Sequence, residues 1–211
     1  MIAAIKSILQ KIDEIREKKI TLPPQQNAIF FNPTLNADEI SLFEEQLNVK
    51  LPDDFKCFLS EIGNGGFGPG YGLIPLGTET IIDPRIPVGN PDIFDTEKDF
   101  AYVSAWNYEP LRHAIEDGSS DKDKLMEYYF SVERITGAIR VCDWGGGGLS
   151  LLVVKGREYG KVWSDYRGDF GGMFPETLSD EDLGHLSFLQ WYEAWLDEIV
   201  LEVSLEKRRF W

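Results

Sequence analysis

Ala138 to Asp165 reads AIRVCDWGGGGLSLLVVKGREYGKVWSD, and the fold turns on how that stretch divides. Ala138–Asp143, Leu149–Val154 and Lys161–Asp165 are apolar runs too short for helices and rich in β-branched and aromatic residues. Gly145–Gly148 and Lys155–Gly160 interrupt them with glycine-bearing turns. Short strands joined by short turns pair antiparallel, so a three-stranded meander over residues 138–165 is expected. Gly145–Gly148 lacks the Lys-Ser/Thr of a phosphate-binding loop and is read as a tight turn.

Toward the C-terminus, Phe188, Trp191, Tyr192, Trp195, Leu196, Ile199 and Val203 recur at helical spacing, giving a long helix with a wide apolar face. Toward the N-terminus, Ile2, Ile5, Leu9, Ile12 and Ile15 line an amphipathic helix closed by Thr21-Leu22-Pro23-Pro24. Asn36-Ala37-Asp38-Glu39 has the form of a capping box and opens a second helix, running through Leu47. Pro52 suits the first turn of a third, where Phe55, Phe58, Leu59 and Ile62 share one face and Gly63 supplies the stop.

Gly63–Gly72 is too rich in glycine for a regular element. Leu73–Leu76, Thr80–Asp83 and Phe100–Ser104 read as short strands, Pro84–Thr96 as a surface loop, and Leu111–Glu116 and Lys122–Phe130 as helices. The expected architecture is α+β, a single domain with a mixed or antiparallel central sheet flanked by helices. Residues 1–24 form its N-terminal helix and residues 25–211 its main body.

The 211 residues hold 36 Asp+Glu against 21 Lys+Arg, a net charge of -15. That surface repels nucleic acid and anionic membrane, because binding phosphate requires Lys and Arg to displace counterions. It steers in a basic protein partner instead, while solubility is the plainer use of the same charge. Cys57 and Cys142 are read as buried free thiols in a reducing compartment. Leu149–Val154 is far short of the ~20 residues of a membrane helix. Met1–Lys6 leads into charged residues and not into a signal-peptide core. A soluble, cytoplasmic protein is expected, with no membrane or nucleic-acid contact.

Gly63-Asn64-Gly65-Gly66-Phe67-Gly68 matches the dinucleotide fingerprint by letters, yet it follows a helix and leads into Pro69, the inverse of the required context. His113 and His185 have no partner at metal-ligand spacing, and no serine elbow or C-x-x-C pair occurs. No cofactor, metal or catalytic residue is therefore assigned. Asp143, Asp165 and Asp169 flank the meander. Two such carboxylates ~5–9 Å apart would form a glycosidase layout, the alternative being acids that cap turns. Tyr71, Trp106, Tyr108, Trp144 and Tyr166 sit in or beside loops, where aromatics anchor protein interfaces or pack over backbone.

Leu51-Pro52-Asp53-Asp54-Phe55-Lys56-Cys57-Phe58-Leu59, with the glycine-rich break after it, resembles the leading motif of the SUKH superfamily. Gly68–Leu76 is similar to the strand that follows in the Smi/Knr branch. Ile139–Gly145 and Leu151–Gly156 resemble its paired central strands, Gly160–Asp165 its "G-x-V-W-x-D" strand, and Phe188–Asp197 its closing helix. Members often carry Gly-Cys-Gly after the first central strand. Gly146 stands in that cysteine's place, so no role for the thiol carries over.

The resemblance implies an α+β domain without enzymatic activity. Bacterial members are largely immunity proteins that neutralise polymorphic toxins, many of them nucleases, and the fungal branch is linked to control of cell-wall synthesis. The first expectation is thus an immunity protein that binds a basic toxin through Tyr71, Trp106, Tyr108, Asp143, Trp144, Asp165, Tyr166 and Asp169. A regulatory scaffold is second, and a carbohydrate-active enzyme using Asp143 and Asp165 third.

Overall fold

The computed structural model describes residues 1–18, 22, 28–85, 93–179 and 184–209. Helices α1 (Ile2–Glu17), α2 (Ala37–Gln46) and α3 (Asp53–Glu61) come first, followed by α4 (Glu109–Glu116) and α5 (Lys122–Phe130). Strands β1 (Ala138–Gly145), β2 (Gly148–Val153), β3 (Val162–Asp165) and β4 (Met173–Pro175) follow, and α6 (Phe188–Arg209) closes the chain. The sheet is antiparallel throughout, in the order β1-β2-β3-β4. The architecture is α+β, with the sheet antiparallel where either form was expected.

Both faces of the sheet are buried, which is why its strands read as continuous apolar runs without alternation. On one face Ile139, Val141, Leu152 and Val162 meet Ile8, Ile12 and Ile15 of α1, Phe55, Phe58 and Leu59 of α3, and Phe188, Tyr192 and Leu196 of α6. On the other face Ala138, Leu149, Leu151, Val153, Trp163 and Met173 pack with Phe94, Phe100 and Ile135. Helix α1 belongs to the larger core, and Lys11 ties it to Glu193 (2.9 Å) and Asp197 (2.6 Å) of α6. The side chain of Val203 and the closing signal at Thr21, Pro23 and Pro24 lie outside the described residues.

The capping box forms as its residues dictate: Asn36 Oδ1 accepts from the Asp38 and Glu39 amides, and Glu39 accepts from the Asn36 amide at 2.8 Å. Other expectations need correction. β4 has only three residues, following two glycines and ending on proline, too few to show a period. It exists because Met173 and Phe174 pair with Asp165 and Ser164.

Leu73 and Phe100 make isolated bridges where strands were expected, to Gly66 and Cys142 and to Gly156 respectively. Thr78–Ile81 is a 3-10 turn, because Thr80 donates from both its amide and its hydroxyl to the Gly77 carbonyl. Within Pro84–Thr96, residues 86–92 lie outside the described residues, and Phe94 is buried in the second core and not in a surface loop. Cys142 is buried but Cys57 only partly so.

Phe58, fully buried, sits edge-on to Phe188 (5.2 Å) and Tyr192 (5.0 Å) and so joins α3 to α6. Phe58→Ala is expected to lower unfolding stability by about 3–5 kcal/mol in urea titration, and Asn36→Ala by about 1 kcal/mol. Equal, small losses in both would contradict this packing.

Candidate functional site

The end of the sheet at the β1–β2 turn is built from glycine. Gly145, Gly146 and Gly147 have φ of 76°, 59° and 87°, and the register of β1 slips between Asp143 and Gly145. The Tyr71 amide donates to the Asp143 carbonyl at 2.9 Å, laying the Gly68–Gly72 loop across the turn. A Cβ on Gly145 would lie 2.7 Å from the Tyr71 ring, so close approach as well as backbone angle demands glycine there. A Cβ on Gly146 would meet nothing nearer than an Asp169 carboxylate oxygen at 4.0 Å, and that glycine faces water.

Five of the eight expected contact residues converge around this turn. Tyr71 is 64% exposed. Asp143, partly exposed, accepts the Gly145 amide at 2.8 Å and lies 3.5 Å from Arg140. Trp144 is half-buried, with its indole N–H donating to Ser150 Oγ at 2.8 Å. Tyr166 stacks on Phe174 at 5.7 Å, and Asp169 is exposed and makes no ion pair with the described residues. Trp106 and Tyr108 lie elsewhere. The Trp106 amide and carbonyl pair with Met173 of β4, and its ring stacks with Tyr108 (6.3 Å) and with Tyr129 (5.5 Å).

Asp165 is not on the surface at all. Its exposure is 0%, so it faces no partner's basic group and no substrate. Two D-x-R tripeptides, Asp83-Pro84-Arg85 and Asp165-Tyr166-Arg167, fold alike. In each, the aspartate Oδ1 accepts the arginine amide (3.0 Å) and Nε (2.9 Å), while Oδ2 accepts Nη2 (2.7 and 2.8 Å). Arg85 Nη1 then reaches Asp165 Oδ2 at 3.1 Å and locks the two together. Arg167 Nη1 donates to the Tyr129 and Ser131 carbonyls, satisfying the C-terminal end of α5.

The pattern visible beforehand was the repeated D-x-R spacing. Asp83, Arg85 and Arg167 were not read from it.

Burial opposes ionisation of Asp83, but the hydrogen bonds and charge of Arg85 outweigh it and hold the carboxyl below its ordinary range. Burial pushes the Glu176 carboxyl up, against a hydrogen bond from the Ser164 hydroxyl. Burial also raises the Cys142 thiol far above its ordinary value. Among the described residues no group of three or more His, Cys, Asp or Glu is placed to hold a metal, and no helix is long and apolar enough to cross a membrane.

A two-faced antiparallel sheet, helices on its larger face and an exposed glycine turn at its end define the class as an α+β domain. A family model described as the SMI1 / KNR4 family (SUKH-1) matches residues 34–183, and the chain belongs to that family. The match stops short of α1 and α6, which pack on each other. No curated protein and no solved structure gives a significant match.

Asp165→Asn leaves the buried Arg167 without its countercharge and the partly buried Arg85 with Asp83 alone, and is expected to cost about 3–5 kcal/mol in urea unfolding. Asp169→Asn should stay within about 0.5 kcal/mol. Because the folded pKa of Asp83 is depressed, its contribution is present above its unfolded value of ~3.9 and is lost as pH falls through the folded value. Asp83→Asn should therefore flatten the fall in stability below about pH 4; an unchanged acid limb would contradict the pairing.

Proposed function

We propose that this protein is a non-enzymatic, immunity-type inhibitor that binds and neutralises a basic, nuclease-like toxin in the cytoplasm. The supporting observation is the exposed turn. Tyr71, Asp143 and Asp169 ring a glycine surface with no side chains of its own, on a chain of net charge -15. At Gly146, exposed and without a Cβ, a partner can approach the backbone, the tyrosine supplies an anchor, and the acids face cationic groups. A stable inhibitory complex buries roughly 1,600 Å² in total, so the contact would extend beyond the turn.

Asp165 takes the part of a positioning residue, since its pairing with Arg167 orients the Tyr166–Asp169 segment. A hydrolytic role for Asp143 with Asp165 is disfavoured, because both oxygens of Asp165 are taken by guanidinium groups.

The test is co-expression, in a sensitive host, with any toxin-like domain encoded beside this gene. Rescue and a one-to-one nanomolar complex are expected. The Asp143→Lys/Asp169→Lys double variant should lower the association rate about tenfold and flatten its salt dependence. An unchanged rate would contradict the surface. Absence of rescue and of a complex would contradict the immunity reading and favour a regulatory scaffold.

A further inference from the structure

A second feature lies on the other side of Phe170. Helices α4 and α5 and the segment after β3 enclose a cleft of about 420 Å³, within the range of ligand-sized sites. Leu111, Ile115, Met126, Tyr129 and Phe170 supply its apolar lining. On the α4 wall Arg112 is already held by Glu109 (2.8 Å) and Glu116 (2.9 Å), which leaves that wall one negative charge in excess, and Lys122 stands on the α5 wall opposite. From Glu109 to Glu127 there are six acids (Glu109, Glu116, Asp117, Asp121, Asp123, Glu127) against Arg112, Lys122 and Lys124.

The lip is an outlier. Phe170 has φ of 59°, a backbone state that bulky residues rarely adopt, and the residue is 45% exposed although one part of its ring packs on Tyr129 (6.1 Å) and Phe130 (5.6 Å). Asn107 Nδ2 donates to the Phe170 carbonyl at 3.0 Å, and Asn107 Oδ1 accepts from Tyr129 Oη, which in turn accepts the Gly172 amide. The Phe170 amide is bonded to the Arg167 carbonyl. The framework thus holds an aromatic ring half in water at the mouth of an apolar cleft, where glycine would fit the backbone without strain. Asp169, on the acidic turn surface, is the preceding residue.

We propose that this cleft is a second anchor point for the protein partner, taking one large apolar side chain carried on a basic segment. The proposal rests on the reading of the partner as a basic protein. The occupant follows from the apolar lining, the excess of acids over basic residues along Glu109–Glu127 and the continuity with the turn surface through Asp169–Phe170.

The test titrates the full chain with three capped tripeptides while following the methyl resonances of Ile115 and Met126. Acetyl-Lys-Trp-Lys-amide should give saturable shifts in the millimolar range. Acetyl-Lys-Ala-Lys-amide and acetyl-Glu-Trp-Glu-amide should bind about tenfold more weakly or not at all. Phe170→Gly relieves the backbone and should remain folded by circular dichroism, yet lower the affinity of the Trp peptide about tenfold. Ile115→Gln should do the same from the opposite wall.

Equal binding of the Glu-flanked peptide, no saturable shift, or unchanged affinity in both variants would overturn the proposal. With the toxin domain, a raised dissociation rate in the cleft variants supports it. Full affinity in those variants removes the cleft while leaving the immunity reading intact. A toxin domain that does not bind at all refutes that reading, and the tripeptides still decide the cleft.

Discussion

One carboxylate without access to water organises the second face of this sheet. Asp165 accepts two hydrogen bonds from the Arg167 side chain and one from Arg85. Through these it joins the end of β3 to the Asp83–Arg85 segment and to the last carbonyls of α5. Removing such charges from water is costly, and the cost is offset only when the geometry satisfies nearly every donor and acceptor. Here each aspartate also caps the arginine amide two residues on, so backbone and side chain are set together. The exposed residues that follow, Asp169 and Phe170, take their positions from that arrangement.

The other face depends on apolar burial. Aromatic rings of α3 and α6 interlock through Phe55, Phe58, Phe188 and Tyr192, and Ile8, Ile12 and Ile15 of α1 complete the layer. On the second face the polar network stands beside an apolar cluster that includes Leu149, Leu151, Trp163 and Met173. Apolar packing under α1, α3 and α6 holds the sheet, and the polar network fixes the loops at its end. The matched family region carries the sheet, its turn and the network, whereas α1 and α6 close the core from outside that region.

Legibility in the sequence followed the range of the interactions. The three central strands, the capping box at Asn36, and α3 with its Phe55, Phe58 and Leu59 face depend on near neighbours and were readable. β4 was not, because three residues carry no period and their pairing comes from Trp163–Asp165. At the sheet end, Tyr71, Asp143, Trp144, Tyr166 and Asp169 do come together, while Trp106 and Tyr108 join a separate aromatic group with Tyr129. Asp165 was misread as a surface acid. A strand-end aspartate looks the same in sequence whether it meets water or a guanidinium group 80 residues away. The paired D-x-R tripeptides were the available signal.

The most direct test of a recognition surface at the glycine turn is amide hydrogen exchange of the protein with and without its bound partner. Binding there slows exchange at Tyr71, at Gly146 and Gly147, and across Tyr166–Phe170, leaving α1 unchanged. Slowed exchange confined to α1 and α6, with the turn untouched, would contradict it.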